Sequence, residues 1–344
     1  MVLRVSEPFS GGVFLTYKCT NECRHCMYAC SPMWDEDWMD IEDARKILTQ
    51  LSERLKGKYP KGFNGVGVNY GVHITGGEPF LNFELTLELA GIMRELRIPA
   101  TFVETNCFWC VDDRTAEERL SQLREEGMRG LLVSANPFVV EQVPWERIER
   151  AVNIGRKIFG GNLMVYHGLF HRQLKGLNVK GTLRFEDYLR LVGEGDPSGL
   201  EEALSFPSLL PMGRMPYRLG RLYRRYPARS FFGQSCREEL TRGWHIHIDN
   251  YCNYVPGYCG GISLGDARDL KSILRADLNE KPVVKALAKD IKELYELGVK
   301  LGYEERENGY ISKCHLCVDI RRYIVKRTDE FEELKPREFY ERLE

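Results

Sequence analysis

The chain has 344 residues, 43% hydrophobic and 29% charged, with 16 Phe, 17 Tyr and 5 Trp, which is enough apolar side chain to offset the entropy of ordering a large folded unit and excludes a disordered chain. Its 49 basic and 50 acidic side chains leave a net charge of -1, so no global field recruits nucleic acid or an anionic membrane surface. The opening MVLRVSEPFSGG lacks the apolar stretch of a secretion signal and no later run approaches the ~20 apolar residues of a membrane span. A cytoplasmic protein with no membrane partner and no nucleic-acid partner is expected, and in that setting 11 cysteines point to metal or redox chemistry instead of disulfides.

Apolar runs of strand length alternate with segments of helical period, the pattern of βα units joined by right-handed crossovers. The first strand is expected at Gly12 to Tyr17, and CTNECRHC follows it at once. Cys19, Cys23 and Cys26 there have the spacing C-x3-C-x2-C. Three thiolates on one short loop can hold three irons of a cubane and leave the fourth open to a chelating ligand; with Cys30 added, the same loop could instead close a tetrahedral zinc site. A helix follows at Ile41 to Lys56, with Asp40 as N-cap and Asp43 in its first turn.

The second strand, Val68 to Thr75, runs into HITGGEPFLN. Gly76 and Gly77 allow the backbone to approach a ligand closely, Glu78 can accept hydrogen bonds from an ammonium group, and Pro79 starts the next turn. After a helix at Glu84 to Leu96, the strand Ala100 to Thr105 ends in FVETN with Asn106, and Cys107 and Cys110 of TNCFWC stand just beyond, near the expected mouth. A helix at Thr115 to Glu126 and a strand at Leu131 to Ala135 place Ser134 at another strand end. Pro144 suits the first position of the helix Pro144 to Phe159; a strand at Asn162 to His167, with His167 and His171 at its end, and a helix at Phe185 to Val192 precede a sixth strand at Leu204 to Leu210. Six parallel strands with outer helices make an α/β partial (β/α)6 TIM-like barrel, with chemistry on the loops at the strand carboxyl ends.

Past Pro211 the composition changes, giving an expected boundary near 212 between a core, residues 1–211, and an extension, residues 212–344. Arg214, Arg218, Arg221 and Arg225 would share one face if Pro216 to Tyr226 is helical. Loops carrying Cys236, Cys252 and Cys259 follow, then helices at Pro282 to Leu297 and His315 to Lys326, with Cys314 and Cys317 at the start of the second.

The cysteine triplet and the GGEP element, one strand apart, resemble the radical S-adenosylmethionine superfamily in motif, spacing and strand context. That resemblance implies a 4Fe-4S cluster on Cys19, Cys23 and Cys26 whose open iron binds S-adenosylmethionine. It also implies reductive cleavage to a 5'-deoxyadenosyl radical, and hydrogen abstraction from a substrate. It places His25 beside the adenine, Gly76, Gly77, Glu78 and Pro79 at the cofactor, and Thr105, Asn106 and Ser134 near its methionine or ribose portions. The segment from Cys236 to Cys259 with the later CHLC, preceded by LLPMGRM, is similar to the Twitch or SPASM extension of such enzymes. It implies a second 4Fe-4S cluster, on Cys236, Cys259, Cys314 and Cys317, with Cys252 as a competing ligand near the family's usual glycine. The expected function is that of an oxidoreductase or modifying enzyme acting on a peptide or small molecule with an oxidative outcome, served by an electron donor such as ferredoxin or flavodoxin. The rival reading is a non-catalytic iron-sulfur or zinc scaffold, and no side chain is assigned to catalysis itself.

Overall fold

The computed structural model describes residues 2–206 and 208–344. Its elements in chain order are β1 (Ser10–Phe14), α1 (Ile41–Leu55), β2 (Gly71–Thr75), α2 (Phe83–Glu95), β3 (Phe102–Thr105), α3 (Asp113–Glu125), β4 (Gly130–Ser134), α4 (Pro137–Val140), α5 (Trp145–Phe159), β5 (Leu163–Tyr166), α6 (Gly168–Gly176), α7 (Phe185–Gly195) and α8 (Pro197–Leu204), followed by α9 (Met215–Arg218), α10 (Arg237–Thr241), β6 (Ile246–Ile248), β7 (Tyr254–Val255), α11 (Leu270–Arg275), α12 (Pro282–Lys289), α13 (Ile291–Lys300), α14 (Lys313–Arg327) and α15 (Glu338–Glu341). The α/β class with a mostly parallel sheet is therefore as expected. Among the described residues no helix is long and apolar enough to cross a membrane.

The seven strands lie in the order β5-β4-β3-β2-β1-β6-β7, all parallel except the β6–β7 pair. Helices pack on the sheet by apolar stripes. In α1, Ala44, Ile47, Leu48, Leu51 and Leu55 are buried at helical spacing, and the Asp40 carboxylate caps Glu42 N and Asp43 N, satisfying two orphan donors of the first turn. α5 buries Trp145, Ile148, Ala151, Val152, Gly155 and Phe159. Pro144 stands at its N-cap, one position before the expected one.

The sixth strand is not where the sequence suggested. Helix α8 runs to Leu204, and the amides of Ser208 and Leu209 both return to Ser205 O, so the described part of the run Leu204 to Leu210 makes a turn; Pro207 lies outside the described residues. The strand that extends the parallel sheet is β6, from the far side of the expected boundary. It sits beside β1, so Gly11, Gly12 and Val13 pair with β2 on one flank and with Ile246, His247 and Ile248 on the other.

Two further expectations are revised. The helix foreseen over Pro282 to Leu297 is two helices, because Asp290 adopts an extended conformation and its side chain caps Lys292 N. The Pro216 to Tyr226 segment is helical only in the short α9 and in a single 3-10 turn at Gly220–Leu222, so its arginines do not form one face. Arg218 pairs with Glu22 at 3.0 Å, Arg221 with Glu186 at 2.5 Å, and Arg225 donates to Gly309 O.

The pair of glycines in β1 is what admits β6. A Cβ on Gly12 would lie 2.5 Å from His73 Nε2 and 2.7 Å from His247 Cδ2, and one on Gly11 would lie 2.5 Å from Ile246 O. Gly12→Ala should therefore destabilise the chain by about 1–3 kcal/mol through overpacking, measured as a lower urea midpoint with an unchanged slope; an unchanged midpoint would show that the histidines move aside.

Candidate functional site

Parallel strands present their carboxyl ends together, and the loops leaving β1 to β4 line one cavity there. Cys19, Cys23, His25 and Cys26 enter it from the loop after β1, Gly76, Gly77 and Pro79 from the turn after β2, Thr105 and Asn106 from the end of β3, and Ser134 from the end of β4. All of the residues expected at the first site converge there except Glu78, which is fully buried behind the wall. Its carboxylate accepts from Asn106 N at 2.7 Å, Thr105 Oγ1 at 2.9 Å and Phe80 N at 3.2 Å. Glu78 thus stitches the GGEP turn to the end of β3. Burial pushes its pKa up to about 7, against those hydrogen bonds.

The two glycines of that turn serve the same joint. Gly77 N donates to Thr16 O and Glu78 N to Lys18 O, so the turn lies directly on the start of the cysteine loop. A Cβ on Gly77 would fall 1.9 Å from Lys18 O, and one on Gly76, which has φ 118°, would fall 2.4 Å from Thr16 O. Backbone meeting backbone is the constraint here, beyond any ligand approach.

The cysteine loop is braced from below by a residue whose part the sequence did not disclose. Arg214 is fully buried. Its Nη1 donates to Cys23 O at 3.0 Å and Cys30 O at 3.2 Å, its Nη2 to Ala29 O at 2.8 Å and its Nε to Arg342 O at 3.0 Å. The adjoining Gly213, φ 54°, fits against the loop where a Cβ would meet Met27 O at 2.3 Å. LLPMGRM carried a hint of this, since a lone Gly-Arg beside prolines suits a tight connector, but not the direction of the side chain.

Electrostatics separates the three thiols. Burial pushes Cys23 up to about 12 and holds Cys19 well above the ordinary thiol range. A hydrogen bond from Cys30, with the Arg214 charge, draws Cys26 down to about 6 against burial. Asn21 N points at Cys19 Sγ at 3.4 Å, and Asn106 Nδ2 reaches Thr20 Oγ1 at 2.9 Å. His25 lies on the Phe138 ring at 4.5 Å; burial and then Arg214 push it to about 4, so it is neutral, and its Nδ1 has no partner. Three soft sulfur donors on one loop, against a buried cation and open to a cavity, fit an iron-sulfur cluster with one unligated iron.

Of the downstream cysteines, Cys236 lies within electrostatic reach of Cys317, Cys259 and Cys314. Burial raises Cys259 to about 11, with Cys317 adding to it, and Cys314 to about 12, with Cys259 and Cys317 adding to it. Arg321 Nε donates to Cys317 Sγ at 3.3 Å. Cys252 stands apart, with its thiol on Asp43 Oδ2 at 3.6 Å and φ 63°. That φ is in the left-handed region that favours glycine. Cys107 and Cys110 are buried against each other away from the cavity wall. His167 caps α6 through Leu169 N, and His171 leans on Trp145. Polar and aromatic side chains of the cavity wall that were not foreseen include Glu104, His245, His247 and Tyr258. The alternation in WHIHID signals His245 and His247; Glu104 stands in FVETN and Tyr258 in the loop after β7.

No family model matches the chain and no curated protein matches it. Solved structures do. The chain is similar to BtrN in complex with AdoMet and 2-DOIA at 14% identity, with 83% of this chain and 88% of that chain covered and a TM-score of 0.41. It is similar to anSMEcpe with bound AdoMet and Cp18Cys peptide at 12% identity over 93% of this chain and 98% of that one, TM-score 0.43. SuiB of Streptococcus suis bound to precursor peptide SuiA is similar at 14% identity over 91% of this chain and 76% of that one, TM-score 0.38. At such identities and scores, function has to be argued from this chain's own residues.

Arg214→Met should cost at least about 2 kcal/mol, because four buried carbonyls lose a charged donor. Chemical unfolding measures the loss. The same variant should take up less iron on reconstitution even where it stays folded. Wild-type iron uptake by a folded Arg214→Met protein would show that the guanidinium does not shape the loop.

Proposed function

We propose that this chain is a radical S-adenosylmethionine enzyme with its active site in the cavity at the strand carboxyl ends. The observation that carries this reading is convergence: the Cys19, Cys23 and Cys26 loop, the Gly76-Gly77 turn, Asn106 and Ser134 come from four successive strand ends and line a single cavity. When bound there, a 4Fe-4S cluster and S-adenosylmethionine would supply a 5'-deoxyadenosyl radical. The protein's own part is to hold and shield. The three thiolates take three irons, Arg214 fixes the carbonyls of their loop, and the glycine turn leaves backbone at the rim. The neutral His25 on Phe138 offers a flat face for an adenine.

Cys236, Cys259, Cys314 and Cys317 are the ligands of a second, fully ligated cluster in this reading, and Cys252 is left out because its thiol faces Asp43. The division into a core of residues 1–211 and a cluster-bearing extension of residues 212–344 belongs to the same proposal, with the addition that β6 of the extension joins the core sheet. A second cluster favours an oxidative outcome on a peptide or small molecule, since it offers a place for the electron left after hydrogen abstraction.

Two expectations test this. Replacing Cys19, Cys23 or Cys26 by Ala should abolish 5'-deoxyadenosine formation after anaerobic reconstitution, and the triple variant should keep about four irons per chain. A variant that cleaves S-adenosylmethionine at the wild-type rate would refute the assignment, and zinc in place of the residual iron would favour a metal-binding scaffold. Separately, Cys252→Ala should leave iron content unchanged, whereas Cys314→Ala should lower it, as read by metal analysis and Mössbauer spectroscopy.

A further inference from the structure

Below the strand ends the cavity reaches a second group of polar side chains that the proposed cofactor site does not use. In the register of the sheet, Gly12 of β1 lies level with His73 of β2 and His247 of β6, and its missing side chain leaves the space between them. Glu104 of β3 and His245, just before β6, complete the group; Glu104, His245 and His247 line the cavity, with His73 packed behind.

The proton positions follow from the backbone. His245 Nδ1 lies 2.5 Å from Val68 O and His247 Nδ1 lies 2.9 Å from Gly257 O. A carbonyl can only accept, so His245 carries its proton on Nδ1; His247 Nδ1 also lies 2.9 Å from the Tyr28 hydroxyl, but that hydroxyl donates to Gly257 O at 3.1 Å, and His247 likewise carries its proton on Nδ1. Burial pushes His245 to about 4 and His247 well below the ordinary histidine range, so neither ring takes a second proton at neutral pH. Their Nε2 atoms are therefore acceptors, and among the described residues neither has a partner. Glu104 Oε2 accepts from Thr75 Oγ1 at 2.7 Å, while Oε1 lies 3.5 Å from His73 Nε2. His73 is 1% exposed and neither of its ring nitrogens has a hydrogen-bond partner.

Three acceptors thus face one space. Among the described residues no Lys or Arg lines the cavity, and Glu104, which burial raises to about 7 and a bound cation would hold ionised, is its one carboxyl group. The nearest cation, Arg242, lies over the Trp244 and Tyr258 rings and is not part of the lining; within the cavity itself an ammonium group, with three N–H donors and one positive charge, is what matches two imidazole acceptors and a carboxylate. The Tyr258 ring, 4.8 Å from His245, adds an aromatic wall that already carries the Arg242 guanidinium at 4.7 Å.

We propose that this end of the cavity anchors a primary ammonium group of the substrate, through Glu104, His245 and His247. The assignment rests on the reading of the cavity as a substrate chamber, and it narrows the substrate to an amine-bearing molecule or a peptide presenting an amine.

The test uses the anaerobically reconstituted protein with three isosteric probes: n-butylammonium, n-butanol and butyrate. Affinity is measured by calorimetry or ligand-observed NMR, with and without S-adenosylmethionine. The expected order is n-butylammonium first and butyrate last, separated by about tenfold or more, the scale of one charge-assisted hydrogen bond. Glu104→Gln, which keeps an acceptor for Thr75 but removes the charge, should weaken n-butylammonium by roughly tenfold and leave n-butanol unaffected, and His247→Phe should weaken n-butylammonium by a smaller factor. Butyrate binding as tightly as n-butylammonium, or n-butylammonium indifferent to both variants, would overturn the proposal. So would its displacement by S-adenosylmethionine, since the site would then belong to the cofactor. Melting temperatures establish that the variants are folded, and the probe order in the wild-type protein decides the matter if they are not. 5'-deoxyadenosine formation by the wild-type protein, measured in the same samples, reports on the radical reading separately: a protein that ranks the probes as expected but never cleaves S-adenosylmethionine keeps the anchor and loses the enzyme class.

Discussion

A buried guanidinium with no buried carboxylate beside it is an unusual thing for a fold to keep, and Arg214 is kept by carbonyl oxygens alone. Four of them, from Cys23, Ala29, Cys30 and Arg342, face its nitrogens. Each carbonyl of an irregular loop needs a donor when it is buried, and the loop from Cys19 to Cys30 has neither helix nor strand to supply one. The arginine solves both problems together: the loop satisfies the cation, and the cation satisfies the loop. It also ties three parts of the chain, since it follows α8, underlies the loop after β1 and reaches the last turn of the protein. The thiols of the proposed cluster hang from this joint, and its positive charge favours the thiolate at Cys23 and Cys26.

The sheet is organised around a similar economy of space. Strands on both sides of β1 carry histidines that point to the same interior, and only glycine at position 12 leaves them room. The same substitution of backbone for side chain recurs at Gly76 and Gly77, where the turn after β2 lies on the carbonyls of Thr16 and Lys18. Close backbone approach therefore sets the shape of the cavity twice, once at its rim and once at its floor. Between those levels Glu78 and Glu104 face opposite duties: the first is spent inside the wall on the end of β3, and the second lines the cavity itself.

Burial raises Cys19, Cys23, Cys236, Cys259 and Cys314 among the cysteines proposed as ligands. A thiol raised by desolvation remains protonated at neutral pH, so metal uptake by either group has to release protons. The stabilisation that iron brings would then repay the cost of burying sulfur in both parts of the chain, and the two parts share a sheet through β6.

What the sequence determined by itself is local or repeats at short period. Alternating strand and helix signals gave five of the parallel strands and the helices between them within a few residues. The C-x3-C-x2-C and GGEP elements were legible because their residues fall on consecutive strand ends, which a βα topology must bring together. Tertiary structure alone decided the rest. The run from Leu204 to Leu210 is apolar enough for a strand, but its amides close a turn on Ser205, and the sheet takes Ile246 to Ile248 instead because glycines in β1 leave an open flank there. The resemblance prefers Cys259 to Cys252 as a ligand; in the fold Cys252 has a left-handed backbone and its thiol faces Asp43. Arg214 reads as one of four similar arginines until the chain folds, and Glu104, His245 and His247 are separated by some 140 residues of sequence. Long-range pairings of this kind depend on which surfaces meet, and no short window of sequence contains both.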